Sequence, residues 1–192
     1  MSAYQERVLA HTLRLITPLG HLQSVLDFGC GSGWYARALT ERGIANEIKG
    51  VEVQRRKETY IEPILYDGVR LPFEDRRFDL VYAMDVIHHC PSPTTSLVEA
   101  ARCARKYFLL KDHVHFSIGQ KLLLTMLDEL GNRKFGIPSP GNYQKAWEWL
   151  PVLTKAGFKL ETLVHPSPCN GPLLDSIAAP TQFLALWSRV EN

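Results

Sequence analysis

The sequence predicts an α/β fold, a doubly wound and mostly parallel sheet closed by an antiparallel strand. Three observations carry this. Short apolar runs alternate with helical patterns over the first half of the chain, the signature of strand–helix–strand units. One run, Val25-Leu26-Asp27-Phe28, passes through Gly29-Cys30-Gly31-Ser32-Gly33 and emerges as a helical stretch from Trp34. Near the C-terminus, Phe158 to Val164 and Gln182 to Val190 read as an antiparallel pair.

The elements follow in order. Leu9, Leu13 and Ile16 give a first helix over 3–17, stopped by Pro18 because proline lacks the amide hydrogen and clashes with the preceding turn. A strand at 24–28 leads through the glycines to a helix at about 34–42, closed by Gly43. Strands are expected at 48–53, 62–65, 78–83 and 107–110, with a short helix at 54–58 and a longer one at 94–104. The strand at 107–110 enters Lys111-Asp112-His113. An amphipathic helix over 117–130 ends at Gly131-Asn132, and Arg133 to Tyr143, rich in Pro and Gly, reads as a surface loop. A helix at 144–156 ends at Gly157, and 165–181 reads as an irregular, lid-like stretch.

A chain of 192 residues with 45% apolar composition fits one domain, 1–192, with a sizeable core. A formal charge of +2 is too mild for a nucleic-acid surface, which ordinarily shows clustered Lys and Arg. The densest run, Arg55-Arg56-Lys57, reads as a solvated helix face. Cysteines 30, 90, 103 and 169 have no C-x-x-C spacing, so a zinc knuckle is not expected and reduced thiols are. The first twenty residues lack the apolar core and cleavage site of a signal peptide. No apolar run approaches the ~20 residues of a membrane-spanning helix. The expectation is a cytoplasmic protein without stable membrane insertion.

Four features carry chemistry. In Asp27-Phe28-Gly29-Cys30-Gly31-Ser32-Gly33 the glycines fall at alternate positions, so the backbone takes positive φ and a ligand can approach the main chain above the next helix. The spacing departs from the dinucleotide fingerprint G-x-G-x-x-G, which would need Gly or Ala where Trp34 stands. Second, Glu52 ends a strand, 19 residues after Gly33. A carboxylate there suits two-point hydrogen bonding. Third, Tyr66-Asp67-Gly68 precedes Leu71-Pro72-Phe73 and Phe78-Asp79-Leu80-Val81. Fourth, Ala83-Met84-Asp85-Val86-Ile87-His88-His89 follows the next strand. Every candidate residue falls at the carboxyl end of an expected strand, where open α/β sheets bind ligands.

Together, over roughly 24–110, these features resemble the motifs of class I S-adenosylmethionine (SAM)-dependent methyltransferases. The likeness is to the small-molecule branch that includes ubiquinone and menaquinone biosynthesis enzymes. It implies a Rossmann-like, seven-stranded sheet, SAM as cofactor and S-adenosylhomocysteine as product. The resemblance places Asp27, Gly29, Cys30, Gly31 and Gly33 about the methionine moiety, with Asp27 toward its ammonium group. It places Glu52 and Val53 at the ribose, Asp67 and Gly68 at the adenine, and Met84 beside the cofactor. Asp67 is equally readable as a turn former before Gly68. The resemblance also places the first 20 residues, 111–147 and 165–181 around a small-molecule acceptor, and a homodimer would complete an open cleft.

Methyl transfer to a hydroxyl or ammonium needs a base, and histidine titrates near neutrality. The candidates are His88, His89 and His113, with His115 behind them. Asp112 adjoins His113, but neighbouring strand residues face opposite ways. Asp112, His113 and His115 offer too few ligands for a closed metal site, so no metal is expected. Tyr143, Trp147 and Trp149 either line an acceptor pocket or pack a helix. A nucleic-acid acceptor is not expected: the place of an N/D-P-P-Y/F string reads Met84-Asp85-Val86-Ile87, and Cys90-Pro91 reverses the Pro-Cys pair of cytosine C5 enzymes. Two other readings stand beside this one: a non-catalytic SAM-binding regulatory or partner protein, and a nicotinamide oxidoreductase, which Trp34 and the Asp67 string oppose.

Overall fold

The computed structural model describes residues 2–132 and 140–190. In chain order the elements are α1 (Ala3–Ile16), β1 (Leu22–Phe28), α2 (Trp34–Thr40), β2 (Ala45–Glu52), β3 (Ile64–Leu65), β4 (Phe78–Met84), α3 (Pro93–Cys103) and β5 (Ala104–His115). Then come α4 (Ile118–Asn132), β6 (Gln144–Lys145), α5 (Leu150–Lys155), β7 (Phe158–Val164), α6 (Pro172–Ala178) and β8 (Gln182–Arg189). The sheet runs β3-β2-β1-β4-β5-β8-β7, and β6 adds an eighth strand beside β5. Neighbours from β3 to β5 are parallel, and β8 runs antiparallel to both β5 and β7. The order reverses between β1 and β4, so their carboxyl ends splay the connecting loops to opposite sides and leave a crevice between.

Alternation of side chains builds two cores. Leu26, Phe28, Val81 and Phe108 face α3 and α5, meeting Leu97, Ala101, Trp149 and Leu153. Val25, Leu80, Tyr82 and Leu109 face α1 and α2, meeting Val8, Ile16 and Leu39. Apolar residues on both faces of β4 account for its continuous burial. α1 begins with a reciprocal cap: Gln5 N donates to Ser2 Oγ at 3.2 Å and Ser2 N to Gln5 Oε1 at 3.1 Å.

Four expectations are corrected. No helix forms at 54–58, where the chain bends. β5 covers 104–115 rather than 107–110. Its charged residues conceal it: Arg105 and Lys106 reach Asp79, while Lys111, Asp112 and His113 pair across to Leu184, Phe183 and Gln182 of β8. The helix expected at 144–156 is split. Gln144 pairs with Val114 as β6, Ala146 and Trp147 take positive φ of 46° and 69°, and α5 starts only at Leu150. Left-handed backbone at two successive residues cannot continue a helix. The stretch 165–181 contains α6 rather than irregular chain alone. The loop expected from Arg133 to Tyr143 lies outside the described residues over 133–139.

The Leu71-Pro72-Phe73 turn is clamped from α3. Arg102 donates to Phe73 O at 2.8 Å, to Asp75 Oδ1 at 2.7 Å and to Glu99 Oε1 at 2.7 Å. Glu99 Oε1 in turn accepts from Leu71 N at 2.8 Å. Leu71 is buried, and Phe73 meets Phe78 edge-on at 4.9 Å. Arg102→Ala strips these charge-assisted bonds and leaves Glu99 without its cation. We expect it to lower stability by ~2–3 kcal/mol, seen as a lower urea midpoint at unchanged slope. An unmoved midpoint would contradict the clamp.

Candidate active site

The glycine turn leaves β1 with positive φ at Gly29 (70°), Gly31 (57°) and Gly33 (76°). A Cβ on Gly29 would lie 2.1 Å from Val86 Cγ2, and one on Gly33 2.2 Å from Ile61 Cγ1. Only glycine fits at either place. Gly31 differs, because a Cβ there would meet nothing within 4 Å, so its backbone faces open cleft.

Glu52, buried at the end of β2, sits over this turn. Its Oε2 accepts from Gly31 N at 2.9 Å and its Oε1 from Val53 N at 2.9 Å. Val53 itself is exposed, and Cys30 is buried against Gly50. Asp27 is 1% exposed, and its Oδ2 has no hydrogen-bond partner. Burial lifts the Asp27 carboxyl to about 7, against the lowering influence of Tyr82 and with added repulsion from Glu52. Asp67 is exposed; its Oδ1 accepts from Val69 N at 2.8 Å and Arg70 N at 2.9 Å. Those bonds, Arg70's foremost, hold its carboxyl below the ordinary range. It therefore forms the turn before Gly68, whose φ is 80°, and its other oxygen points elsewhere than these amides. Met84 is buried at the end of β4. The cleft thus gathers two carboxylates and bare backbone, groups that could hold a ligand bearing an ammonium and hydroxyls.

The ends of β4 and β5 carry a second group of residues. Asp112, fully buried, accepts at Oδ1 from His88 Nδ1 at 2.6 Å and from His113 N at 2.7 Å, and at Oδ2 from Ile87 N at 3.1 Å. Asp112 thus pairs with His88, 24 residues back, rather than with the neighbouring His113 ring. Burial opposes charge on His88, but Asp112 outweighs it, with Asp128 and Asp85 adding, and raises the imidazole to about 10. Burial, then Lys111, lowers His113 to about 3, so it is neutral. His88, His89, His113 and Tyr143 form one aromatic group, with ring centroids 4.1 Å apart for His88–His89, 4.9 Å for His88–His113 and 5.1 Å for His88–Tyr143. His115 lies outside it, on the β6 side of β5, where Ala146 N donates to its carbonyl. Trp149 belongs to the core, and Trp147 packs on Phe183 and His165. Of the three aromatics, Tyr143 alone meets His88 and His113.

Sequence reasoning missed Tyr4, Asp85, Lys111, Gln182 and Asp128. Lys111, 1% exposed, donates to Tyr4 Oη, Asp85 Oδ1 and Gln182 Oε1. Tyr4 Oη donates to Asp85 Oδ2 at 2.7 Å, so α1 is tied down over the strand ends. Asp85 holds a positive φ of 52°, which turns its carboxylate back toward Lys111 and to 3.4 Å from His113 Nε2. Tyr143 Oη donates to Asp128 Oδ2 at 3.1 Å.

Asp27 gives a testable pH signature. Its folded pKa of about 7 lies above the ordinary 3.8. The folded state therefore holds this proton more tightly, and the stability it contributes is lost as pH rises through that window. Wild type should lose about 4 kcal/mol relative to Asp27→Asn between pH 4 and pH 7.5, read by urea unfolding of both proteins. A constant difference between them would contradict the assignment.

Residues 26–107 match the family model described as a methyltransferase domain. The tRNA U34 carboxymethyltransferase of Methylococcus capsulatus is 29% identical over 168 residues, which cover 80% of this chain and 49% of that protein. The malonyl-(acyl-carrier protein) O-methyltransferase of a Marinomonas species is 25% identical over 199 residues, covering 97% of this chain and 62% of that protein. The chain thus spans about half the length of the curated relatives it matches. Among solved structures, the S-adenosylmethionine-dependent methyltransferase of Mesorhizobium loti shares the fold, with a TM-score of 0.67, 18% identity, and coverage of 97% of this chain and 98% of that one. Over residues 26–107 the chain thus matches a methyltransferase domain in sequence, and it shares the fold of solved SAM-dependent methyltransferases.

Proposed function

We propose that this domain transfers the methyl group of SAM to a small-molecule acceptor, releasing S-adenosylhomocysteine. The residues present fit the cofactor. Asp27 presents a buried, unpartnered oxygen for its ammonium group, Gly31 leaves the space a Cβ would take, and Glu52 offers its carboxylate to the ribose. Asp67 and Gly68 stand at the adenine end, and Met84 beside the transfer region. Bound there, the cofactor supplies an electrophilic sulfonium methyl for in-line displacement. The chain's task is to bring the nucleophile into line and keep water away.

The single observation that carries the acceptor class is enclosure. His88 is 1% and Tyr143 4% exposed, and Tyr4 closes the same end from α1. Such burial favours a compact acceptor over a folded nucleic acid. Part of the surface positive charge is also paired: Arg77 holds Glu47, Arg55 holds Glu62 and Arg105 holds Asp79, and a net charge of +2 is a weak grip on phosphates. His89, partly exposed, and His113, whose Nδ1 has no hydrogen-bond partner, stand nearest to an acceptor proton. His88 is held by Asp112 and orients the group. The tRNA-modifying relatives favour a second reading, in which a single extruded base enters the same space.

Labelled SAM offered in parallel to a small-metabolite fraction and to total tRNA separates the two. Label should enter the small metabolites; label in tRNA would overturn the small-molecule reading. Glu52→Ala should weaken SAM binding by ~1.5–3 kcal/mol, the range of hydrogen bonds to a charged group, and unchanged affinity in a titration would remove the ribose assignment. Replacing His89 or His113 should lower turnover while cofactor affinity holds. Normal turnover in both variants would mean that positioning alone suffices.

A further inference from the structure

We propose that His88, His89 and Asp128 form a binding site for a divalent transition metal, zinc or a cation of similar preference, on the acceptor side of the cleft. His88 Nε2 and His89 Nε2 each stand 3.7 Å from Asp128 Oδ1, and the three atoms lie within 4.8 Å of one another. Two nitrogen or oxygen ligands on one tetrahedral zinc lie about 3.3 Å apart, given bonds of about 2.0 Å. The two histidine–carboxylate separations therefore need close by only a few tenths of an ångström, and the two nitrogens, within 4.8 Å of one another, by at most about 1.5 Å. His88, with its side chain 1% exposed, leaves Nε2 buried without a hydrogen-bond partner and directed at this gap, and a cation bound there would displace the proton from Nε2.

The second shell is already built. His88 Nδ1 donates to Asp112 Oδ1 at 2.6 Å, the carboxylate–histidine arrangement that fixes the tautomer of a metal-bound imidazole. Asp112 is anchored in turn by Ile87 N and His113 N. Asp128 has its other oxygen held by Tyr143 Oη. A rival trio of His88, Asp112 and His113 is also compact, but 2.6 Å between His88 Nδ1 and Asp112 Oδ1 is a hydrogen bond and too short to hold an ion between the two atoms.

Three protein ligands leave a fourth position open, the pattern of catalytic rather than structural zinc. An oxygen of the acceptor would fit there, and a hydroxyl held on the metal would pass its proton more readily to His113, the histidine of the group that the ligand set leaves unused. This use of the metal rests on the methyltransferase reading; the ligand set does not.

The test is binding of Zn²⁺ to the metal-stripped chain by dialysis and elemental analysis, with S-adenosylhomocysteine binding measured on the same samples. About one zinc per wild-type chain is expected, with at least 100-fold weaker binding in His89→Ala and Asp128→Asn. Asp112→Asn should weaken it 10–100-fold, and His21→Ala, at an exposed histidine bonded to Gly43 O and Asn46, should match wild type. Co²⁺ should give the visible bands of a four-coordinate ion in wild type, a readout independent of how the variants fold. Wild type without stoichiometric zinc, or zinc binding unchanged in both ligand variants, overturns the site. Loss of S-adenosylhomocysteine binding with zinc retained would instead overturn the cofactor reading.

Discussion

The geometry of the cleft depends on close approach at the glycine turn. Val86, from the β4 exit, lies where a Gly29 side chain would be, and Ile61, from the chain before β3, lies where a Gly33 side chain would be. Three connections are thereby pressed together with no side chain between them. Substitution at either glycine would have to move backbone, because the φ values are also left-handed. Glu52 then adds a hydrogen bond from the β2 exit to Gly31, so the carboxyl ends of β1, β2 and β4 are held as one unit.

Beyond that turn, the fold tolerates an unusual quantity of buried charge. Lys111 and Asp112 are successive residues of β5 on opposite faces of the sheet, and each is satisfied by a different partner set. Lys111 anchors Asp85, Tyr4 and Gln182, which seals α1 over one side. Asp112 anchors His88 and the turn containing Ile87 on the other. Removing one partner from such a pair strands a buried charge, so both groups constrain the strand ends as strongly as apolar packing does. Rigid placement at this point is what a positioning mechanism requires.

Much of this was legible in the chain. The glycine turn, the acid ending β2 and the histidine pair after β4 are local signals, set by spacing within a few residues. The doubly wound sheet followed from alternating apolar runs, and the antiparallel pair at the C-terminus formed as β7 and β8. What escaped notice has a common physical cause. Tyr4, Asp85, Lys111 and Gln182 come together across up to 178 residues, and nothing in local spacing encodes that meeting. Lys111 and Asp112 resemble the end of a strand because charged residues ordinarily seek water. Positive φ at Asp85, Ala146 and Trp147 is set by tertiary contacts, which is why the helix expected after Tyr143 was broken. Asp128 sits on an amphipathic helix as an ordinary polar residue, and only packing against His88 and Tyr143 singles it out.

The most direct test of the account is calorimetric and thermal-shift binding of SAM, S-adenosylhomocysteine and NAD, side by side. A ligand at a hundred times its dissociation constant adds about 2.7 kcal/mol of stability, a readily measured rise in melting temperature. The account predicts stabilisation by SAM and S-adenosylhomocysteine and none by NAD. Response to NAD alone would contradict it, and so would silence with all three.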